Sequence, residues 1–212
     1  MKEFPDLYKY EKSLKKEGYL KIAGCDEAGR GSLIGPVYAS AVILNPLNHI
    51  EGINDSKKLT AKQREKLYKE IKEKALSYAV ERIEAEEIDR INIYEASRKA
   101  MEKAVLSLKE KPDFILTDAM PLKDQNIPFL SLIHGDALSA SIGAASILAK
   151  VERDHYLIEL DKIYPLYHLK DNKGYATASH KEALKKYGIT PLHRKTYRPV
   201  KEIIQKQISL DI

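Results

Sequence analysis

Hydrophobic positions along the chain fall into short runs separated by longer stretches with helical spacing. The short runs predict five strands, placed at residues 20–25, 37–44, 78–83, 114–116 and 129–133. Helical spacing predicts helices at residues 4–17, 60–76, 93–108 and 137–160. Thr60 is expected to cap the second helix, with Gln63 as its capping-box partner. This order indicates an α/β protein built around one sheet.

The pattern changes near residue 164. Short polar and apolar segments follow, interrupted by residues that break helices: Pro165, Gly174, Gly188, Pro191 and Pro199. We therefore predict a compact body at residues 1–163 and a helical C-terminal extension at residues 164–212, called the extension below.

Charge is distributed unevenly between these two parts. From Asp161 to the end there are eleven Lys/Arg and five Asp/Glu, whereas the preceding residues carry 25 Lys/Arg and 26 Asp/Glu. A basic extension beside a nearly neutral body indicates a polyanionic partner, although ordinary lysine-rich solubility explains the same count.

Composition also narrows the protein class. Cys25 is the only cysteine, so no internal disulfide forms. No apolar run reaches the length of about 20 residues that spans a bilayer, and the N-terminus lacks the apolar core of a signal peptide. We expect a cytoplasmic, monomeric protein without a membrane partner.

Four acidic residues follow predicted strands or begin a predicted helix. Asp26 and Glu27 follow the first strand, Asp118 follows the fourth, and Asp136 stands at the start of the long helix. Taken singly, Asp136 is more simply a helix cap and Asp118 a turn residue. Neighbours on a strand face opposite ways, so Asp26 and Glu27 serve one site only if the strand has ended before them.

Convergence of these acids would define the chemistry. Clustered carboxylates repel one another, and divalent cations relieve that repulsion. All-oxygen ligands favour Mg²⁺ or Mn²⁺, and no Cys or His pair has the spacing of a zinc site. Two such cations would activate water on one side of a phosphodiester and stabilise the leaving oxygen on the other.

Five sequence motifs carry a specific resemblance. They are GCDEAGRGSLIGPV at 24–37, NDSKKL at 54–59, GDALSASI at 135–142, AASILAKV at 144–151, and KGYAT at 173–177 followed by His180. In this order, and over nearly the whole chain, they resemble the signature of the ribonuclease HII family.

The resemblance implies a ribonuclease H-like α/β fold: a five-stranded mixed sheet flanked by helices, with a C-terminal helical extension. It implies an endoribonuclease that cuts the RNA strand of RNA–DNA hybrids, and cuts 5′ to ribonucleotides embedded in DNA, by two-metal hydrolysis leaving 3′-hydroxyl and 5′-phosphate ends. The implied metal ligands and catalytic residues are Asp26, Glu27, Asp118 and Asp136.

Substrate contacts are implied at two further places. Gly29, Arg30 and Gly31, called the glycine turn below, are expected to read the ribose 2′-hydroxyl, the group that separates RNA from DNA. Tyr175 is expected to stack on the neighbouring deoxyribose.

Other basic and polar residues are less decisive. Lys57 and Lys58 either hold phosphates or are plain surface lysines, and the same choice applies to Arg153, His180, His193 and Arg194. The sequence also departs from the family pattern at five positions: Ser32, Ala119, Leu138, Asn172 and Ala176. Leu138 stands where the family usually has a phosphate-binding Lys.

Two alternatives remain open. Ribonuclease HIII shares similar acids but usually carries an N-terminal substrate-binding domain and a Lys in the glycine turn, where this chain has Arg30. A nucleic-acid-binding protein without catalysis is disfavoured because isolated carboxylates weaken binding to phosphates.

The C-terminal tail, residues 207–212, loosely resembles the motif by which bacterial replication proteins dock on a sliding clamp. The simpler interpretation is a frayed terminus.

Overall fold

The computed structural model describes residues 6–53, 56, 58–123 and 126–210, without the side chains of 207–210. Five strands form one mixed sheet in the order β3-β2-β1-β4-β5. β1 is antiparallel to β2 and parallel to β4; β2–β3 is antiparallel and β4–β5 parallel. The strands are β1 (Ile22–Ala28), β2 (Val37–Ile43), β3 (Ser77–Ile83), β4 (Phe114–Asp118) and β5 (Phe129–Leu132). The predicted five-stranded mixed sheet is confirmed.

Helices cover both faces of the sheet. Those in the described residues are α1 (Lys9–Lys16), α2 (Ala61–Lys74), α3 (Ala85–Ile91), α4 (Ile93–Leu106), α5 (Ala140–Ile163), α6 (Leu169–Asn172), α7 (Ala178–Tyr187) and α8 (Arg198–Leu210). One hydrophobic core lies between the sheet and α4, and a second lies between the sheet and α5 with α2. None of the helices in the described part of the chain has the length and apolar character that a membrane crossing requires.

Small residues let α5 approach the middle of the sheet. A Cβ on Gly24 would lie 2.0 Å from the backbone carbonyl carbon of Ser141, so only glycine fits where β1 crosses the start of α5. The predicted capping box at Thr60 is present, with the backbone N–H of Gln63 donating to its hydroxyl and the Gln63 side chain accepting from the Thr60 amide.

Two predicted boundaries were wrong near the acids. β1 does not end before Asp26 but continues to Ala28, because β2 keeps pairing with it up to the Ala28–Tyr38 pair. The long helix begins at Ala140 rather than 137, because Ser139 is its N-cap and the Ser139 side chain accepts a hydrogen bond from the Ile142 amide. Residues Gly135–Ala137 instead form a separate 3₁₀ turn.

Beyond α5 the chain packs back onto the glycine-rich connection between β1 and β2. Leu33 and Ile34 share a core with residues of α5, α7 and α8. The Leu33 amide donates to Gly174 at 2.8 Å, and the Gly35 amide donates to Leu192 at 2.9 Å. The helical character of the extension agrees with the sequence, while its division from the body at residue 164 stays a prediction.

Candidate active site

The strand register brings two of the acids to one level. β1 pairs with β4 up to Cys25 and Thr117, so the next residue on each strand, Asp26 and Asp118, lies at the same edge of the sheet. β4 ends at Asp118, whereas β1 continues along β2. A cleft therefore opens beside the last residues of β1.

The third acid is carried to this edge by the 3₁₀ turn. The Gly135 amide donates to Oδ1 of Asp118 at 2.7 Å, which fastens the turn to the end of β4. A Cβ on Gly135 would lie 2.7 Å from Ile142 Cδ1, so a side chain there would push the turn away. Asp136, in the middle of this turn, is buried with 3% of its surface exposed.

Asp26, Asp118 and Asp136 form a compact group, called the acid cluster below. Each offers a carboxylate oxygen within 4.8 Å of the others. Glu27 is not part of this group, as expected for the neighbour of Asp26 on a continuing strand. It nevertheless lines the same cleft, because the neighbouring strand β4 has already ended.

Electrostatic repulsion is built into this arrangement. Burial raises the pKa of Asp26 well above its usual range, and the charges of Glu27 and Asp118 raise it further. Hydrogen bonds from Ser146 and the Glu27 amide offset part of this rise. Burial also raises the pKa of Glu27, against the opposing attraction of Arg30, whose Nη1 lies 3.3 Å from Glu27 Oε1.

These carboxylates fit a divalent cation. Within the described part of the chain, Oε2 of Glu27 is buried without a hydrogen-bond partner, and burial together with neighbouring carboxylates raises the pKa values of Asp26 and Glu27. A hard cation would supply both a partner and positive charge. The residues that offer ligands are all oxygen donors, which favours Mg²⁺ or Mn²⁺ over zinc.

The glycine turn forms one wall of the cleft, whose volume is about 240 Å³. Gly29 has a φ of +94°, and a Cβ there would lie 2.1 Å from Nε of Arg153. A side chain at this position would therefore displace both the turn and the arginine beneath it. Gly31 faces Tyr175, whose ring would lie 3.6 Å from an added Cβ.

Tyr175 belongs to the extension but closes the same cleft. Its ring is 39% exposed, and the guanidinium of Arg153 lies 5.6 Å from the ring centroid. The structure thus brings together the acid cluster, Glu27, the glycine turn and Tyr175, while their roles in binding metal and substrate stay predictions. Lys58 is exposed and does not line the cleft, and Lys57 lies outside the described residues.

Three polar cleft residues were missed from the sequence: Ser56, Ser146 and Lys150. Ser146 hydrogen-bonds to Asp26 and also to the hydroxyl of Ser56, at 2.9 Å. Lys150 lines the cleft and pairs with Asp154 at 2.5 Å, while burial lowers its pKa. Ser146 and Lys150 lie in the half of α5 that is rich in small residues. They share one face of the helix because they are four residues apart.

Four residues considered as phosphate contacts or surface residues proved to be neither: Arg153, His180, His193 and Arg194 are all buried. Arg153 donates to the Lys173 carbonyl at 3.0 Å, and Arg194 donates to the carbonyls of Arg30 and Gly35 at 2.9 and 3.0 Å. Both arginines therefore support main chain on either side of the cleft.

None of the five departures from the family pattern replaces one of the four acids. Asn172 is satisfied on both amide atoms, donating to the Tyr167 carbonyl at 2.6 Å and accepting from the Gly174 amide at 2.8 Å. Ala119 has a φ of +48°, a conformation that glycine adopts more easily. Leu138 is exposed, so it offers no polar group in place of the expected Lys.

Comparison with known proteins agrees with this geometry. A family model described as ribonuclease HII matches residues 23–200. The chain is 53% identical over 196 residues to a ribonuclease HII of Desulfitobacterium hafniense, covering 92% of this chain and 75% of that protein.

Two solved structures have the same fold. The ribonuclease H2 of Pyrococcus horikoshii matches with a TM-score of 0.75 and 31% identity, covering 88% of this chain and 98% of that one. The ribonuclease HII in the PCNA:RNase HII complex of Archaeoglobus fulgidus matches with a TM-score of 0.73 and 26% identity, covering 84% and 96%.

Proposed function

The chain belongs to the ribonuclease HII family and is a metal-dependent endoribonuclease acting on RNA–DNA hybrids; from that premise we propose that it also cuts 5′ to single ribonucleotides embedded in duplex DNA. The observation that carries the proposal is the acid cluster opening into one cleft with the glycine turn and Tyr175. Hydrolysis would leave a 3′-hydroxyl and a 5′-phosphate.

We assign metal binding to Asp26, Glu27, Asp118 and Asp136, with two Mg²⁺ or Mn²⁺ ions as the proposed cofactors. When bound, such cations supply Lewis-acid activation of water and neutralise charge on the leaving oxygen. The three aspartates offer oxygens within 4.8 Å of one another, and Glu27 has a buried oxygen without a partner among the described residues.

The remaining cleft residues position the substrate. Gly31 is exposed beside Tyr175 and has no side chain, so its main chain can approach a ribose 2′-hydroxyl closely, whereas the missing side chain of Gly29 makes room for Arg153 beneath the turn. Arg30 is exposed beside Glu27, and we propose that it contacts the adjoining phosphate. Tyr175, which faces Gly31, is 39% exposed, and we propose that its ring stacks on the next sugar.

We propose that Lys150 binds phosphate in addition to Lys57 and Lys58, which stay predicted contacts. It lines the cleft and is held by Asp154, whereas Lys58 lies on the surface outside the cleft. A lysine in the cleft would neutralise a phosphate whose approach the carboxylates oppose.

Cleavage of a labelled DNA duplex containing one ribonucleotide, with and without Mg²⁺, tests the proposal directly. We expect Mg²⁺-dependent cutting at the 5′ side of the ribonucleotide, with a product whose 3′ end a polymerase can extend. Cutting of a long RNA–DNA hybrid but not of this duplex would favour a hybrid nuclease without junction recognition. Absence of cutting on both would contradict the active-site assignment.

A sliding clamp is a second proposed partner. The relative from Archaeoglobus fulgidus was solved in a complex with PCNA, and the tail at residues 207–212 resembles a clamp-binding motif. The side chains of this tail lie outside the described residues. We expect that deleting residues 207–212 removes binding to the cognate clamp while cleavage of free duplex is unchanged; equal clamp binding by both forms would end this proposal.

A further inference from the structure

Two histidines lie against each other in the interior of the extension. His180 is on α7 and His193 follows that helix, and their Nε2 atoms are 3.2 Å apart. Both are fully or almost fully buried. Burial lowers the pKa of His180, and burial together with the neighbouring ring lowers the pKa of His193 to about 3. Both rings are therefore neutral near pH 7.

The outer partners of the pair fix which nitrogen carries each proton. The Thr190 amide donates to Nδ1 of His193 at 2.9 Å, so that Nδ1 is an acceptor and the proton of His193 is on Nε2. At the other end, Nδ1 of His180 faces the carbonyl oxygen of Tyr175 at 3.0 Å. A carbonyl only accepts, so His180 carries its proton on Nδ1 and accepts from His193 on Nε2.

The hydrogen bonds consequently all run in one direction. The Thr190 amide donates to His193, His193 donates to His180, and His180 donates to the Tyr175 carbonyl. Within the described residues neither ring hydrogen-bonds to a carboxylate. The titratable side chain that packs on the pair is Tyr167, with ring centroids 5.3 Å from His193 and 6.2 Å from His180.

The end of this relay is the main chain of the proposed recognition residue. The Tyr175 carbonyl also accepts the Thr177 amide at 2.8 Å, so two donors fix the orientation of its peptide group. On the other side, the Tyr175 amide donates to the Asn172 carbonyl at 3.0 Å. With the backbone held on both sides, the ring stays beside Gly31 at the edge of the cleft.

We propose that His193 and His180 are positioning residues, whose neutral one-way relay holds Tyr175 in place for junction recognition. The inference rests on the proposed function, because it takes Tyr175 as the residue that contacts the sugar. It assigns a role to two buried histidines that do not line the cleft.

Two variants at His180 separate the hydrogen bond from the packing. His180→Asn places an amide nitrogen near the position of Nδ1 and keeps a donor for the Tyr175 carbonyl. His180→Gln extends its amide towards the position of Nε2, so it keeps contact with His193 but withdraws that donor. We expect His180→Gln to lower kcat/KM on duplex DNA with one ribonucleotide by about ten-fold, the scale of one lost hydrogen bond, and to affect a long hybrid less. His180→Asn should stay within about three-fold of the parent on both substrates.

Equal losses in the two variants, in step with their melting temperatures, would overturn the relay and leave only a packing role. Tyr175→Ala is assayed in parallel. If that variant does not distinguish the two substrates, the recognition role of Tyr175 fails; if it does, while His180→Gln behaves like His180→Asn, only the relay fails.

A spectroscopic measurement tests the relay without activity and without any variant. In the ¹⁵N spectrum of the histidine rings of the intact protein, we expect His180 to carry its proton on Nδ1 and His193 on Nε2 at pH 7. The same tautomer on both rings, or a charged ring, would contradict the proposed direction of the hydrogen bonds.

Discussion

Asp26→Asn should inactivate the enzyme and at the same time stabilise its metal-free form. Asp26 is 5% exposed and has a pKa raised first by burial and then by Glu27 and Asp118. A carboxyl group whose pKa rises on folding destabilises the folded state once the pH exceeds the pKa of that group in the unfolded chain, because the unfolded chain then releases the proton more readily. At pH 7 the buried Asp26 therefore lowers the free energy of unfolding of the parent protein, and the uncharged amide of Asp26→Asn removes this destabilisation.

The size of that cost follows from the geometry. Two unit charges 4.8 Å apart, the upper limit within the acid cluster, repel by about 3 kcal/mol at an effective dielectric constant of about 20. Partial protonation of the acid cluster reduces this repulsion at neutral pH. We therefore expect Asp26→Asn to increase the free energy of unfolding by about 2 kcal/mol, which corresponds to roughly 4–8 °C in melting temperature for a chain of this length. The amide oxygen can still accept from Ser146 and from the Glu27 amide.

Melting in EDTA and in Mg²⁺, together with cleavage of a labelled hybrid, measures both effects. We expect the variant to melt higher than the parent in EDTA, to gain less from added Mg²⁺, and to cleave at least about 1000-fold more slowly, as befits a lost anionic ligand worth several kcal/mol. Glu159→Gln is the control, since it removes one negative charge from an exposed ion pair with Lys162 and should change little. A lower melting temperature in EDTA for Asp26→Asn would refute the electrostatic reasoning, and near-normal cleavage would refute the ligand assignment.

Three further predictions follow from single residues. Tyr175→Ala should lower kcat/KM about ten- to hundred-fold on DNA with one ribonucleotide, the scale of one stacking contact, and should lower it less on a long hybrid. The melting temperature should change little because Tyr175 is 39% exposed. Equal losses of kcat/KM on both substrates together with a lower melting temperature would instead indicate a packing role. The pKa of His193 is lowered to about 3, so this residue contributes stability above pH 6.5 that is lost as the pH falls; the free energy of unfolding should decrease by about 2 kcal/mol between pH 7 and pH 5. Urea unfolding of His193→Gln over the same pH range should lack this decrease. Ala119→Gly should increase the free energy of unfolding by up to about 1 kcal/mol and so raise the melting temperature slightly, because the φ of +48° strains alanine. A clearly lower melting temperature would show that glycine's freedom in the unfolded chain outweighs that strain.

Much of the site was predictable because its residues stand together in the sequence. The glycine turn follows Asp26 and Glu27 directly, and the order of strands sets Asp118 beside Asp26. The end of β1 was not predictable from its own residues, since a polar pair before a glycine usually marks a turn. Its extent is decided by β2, which keeps pairing as far as Ala28, and this partner lies nine or more residues further along the chain.

The other failure of the sequence analysis concerns two buried arginines where α5 meets the extension, and its cause is long-range. Arg153 and Arg194 are charged residues that sequence reasoning places on the surface, since charged side chains are rarely buried without partners. Both are at most 1% exposed, and their hydrogen bonds reach distant backbone carbonyls: Arg153 donates to Lys173, 20 residues away, and Arg194 donates to Arg30, 164 residues away. No local pattern records such contacts.

These contacts have a consequence for how the active site is assembled. The glycine turn belongs to the body by sequence, yet its carbonyl at Arg30 accepts from Arg194 and from the Tyr197 hydroxyl, both in the extension. The Leu33 amide and carbonyl, just after the turn, are likewise bonded to Gly174 and Arg194. The extension thus holds the turn in addition to offering Tyr175, so the two walls of the cleft are fixed relative to each other by shared main-chain hydrogen bonds. Because the same scaffold sets both the turn and the ring, a defect in the extension should disturb 2′-hydroxyl recognition and sugar stacking together, while the acid cluster, held by β1, β4 and the 3₁₀ turn, keeps its geometry.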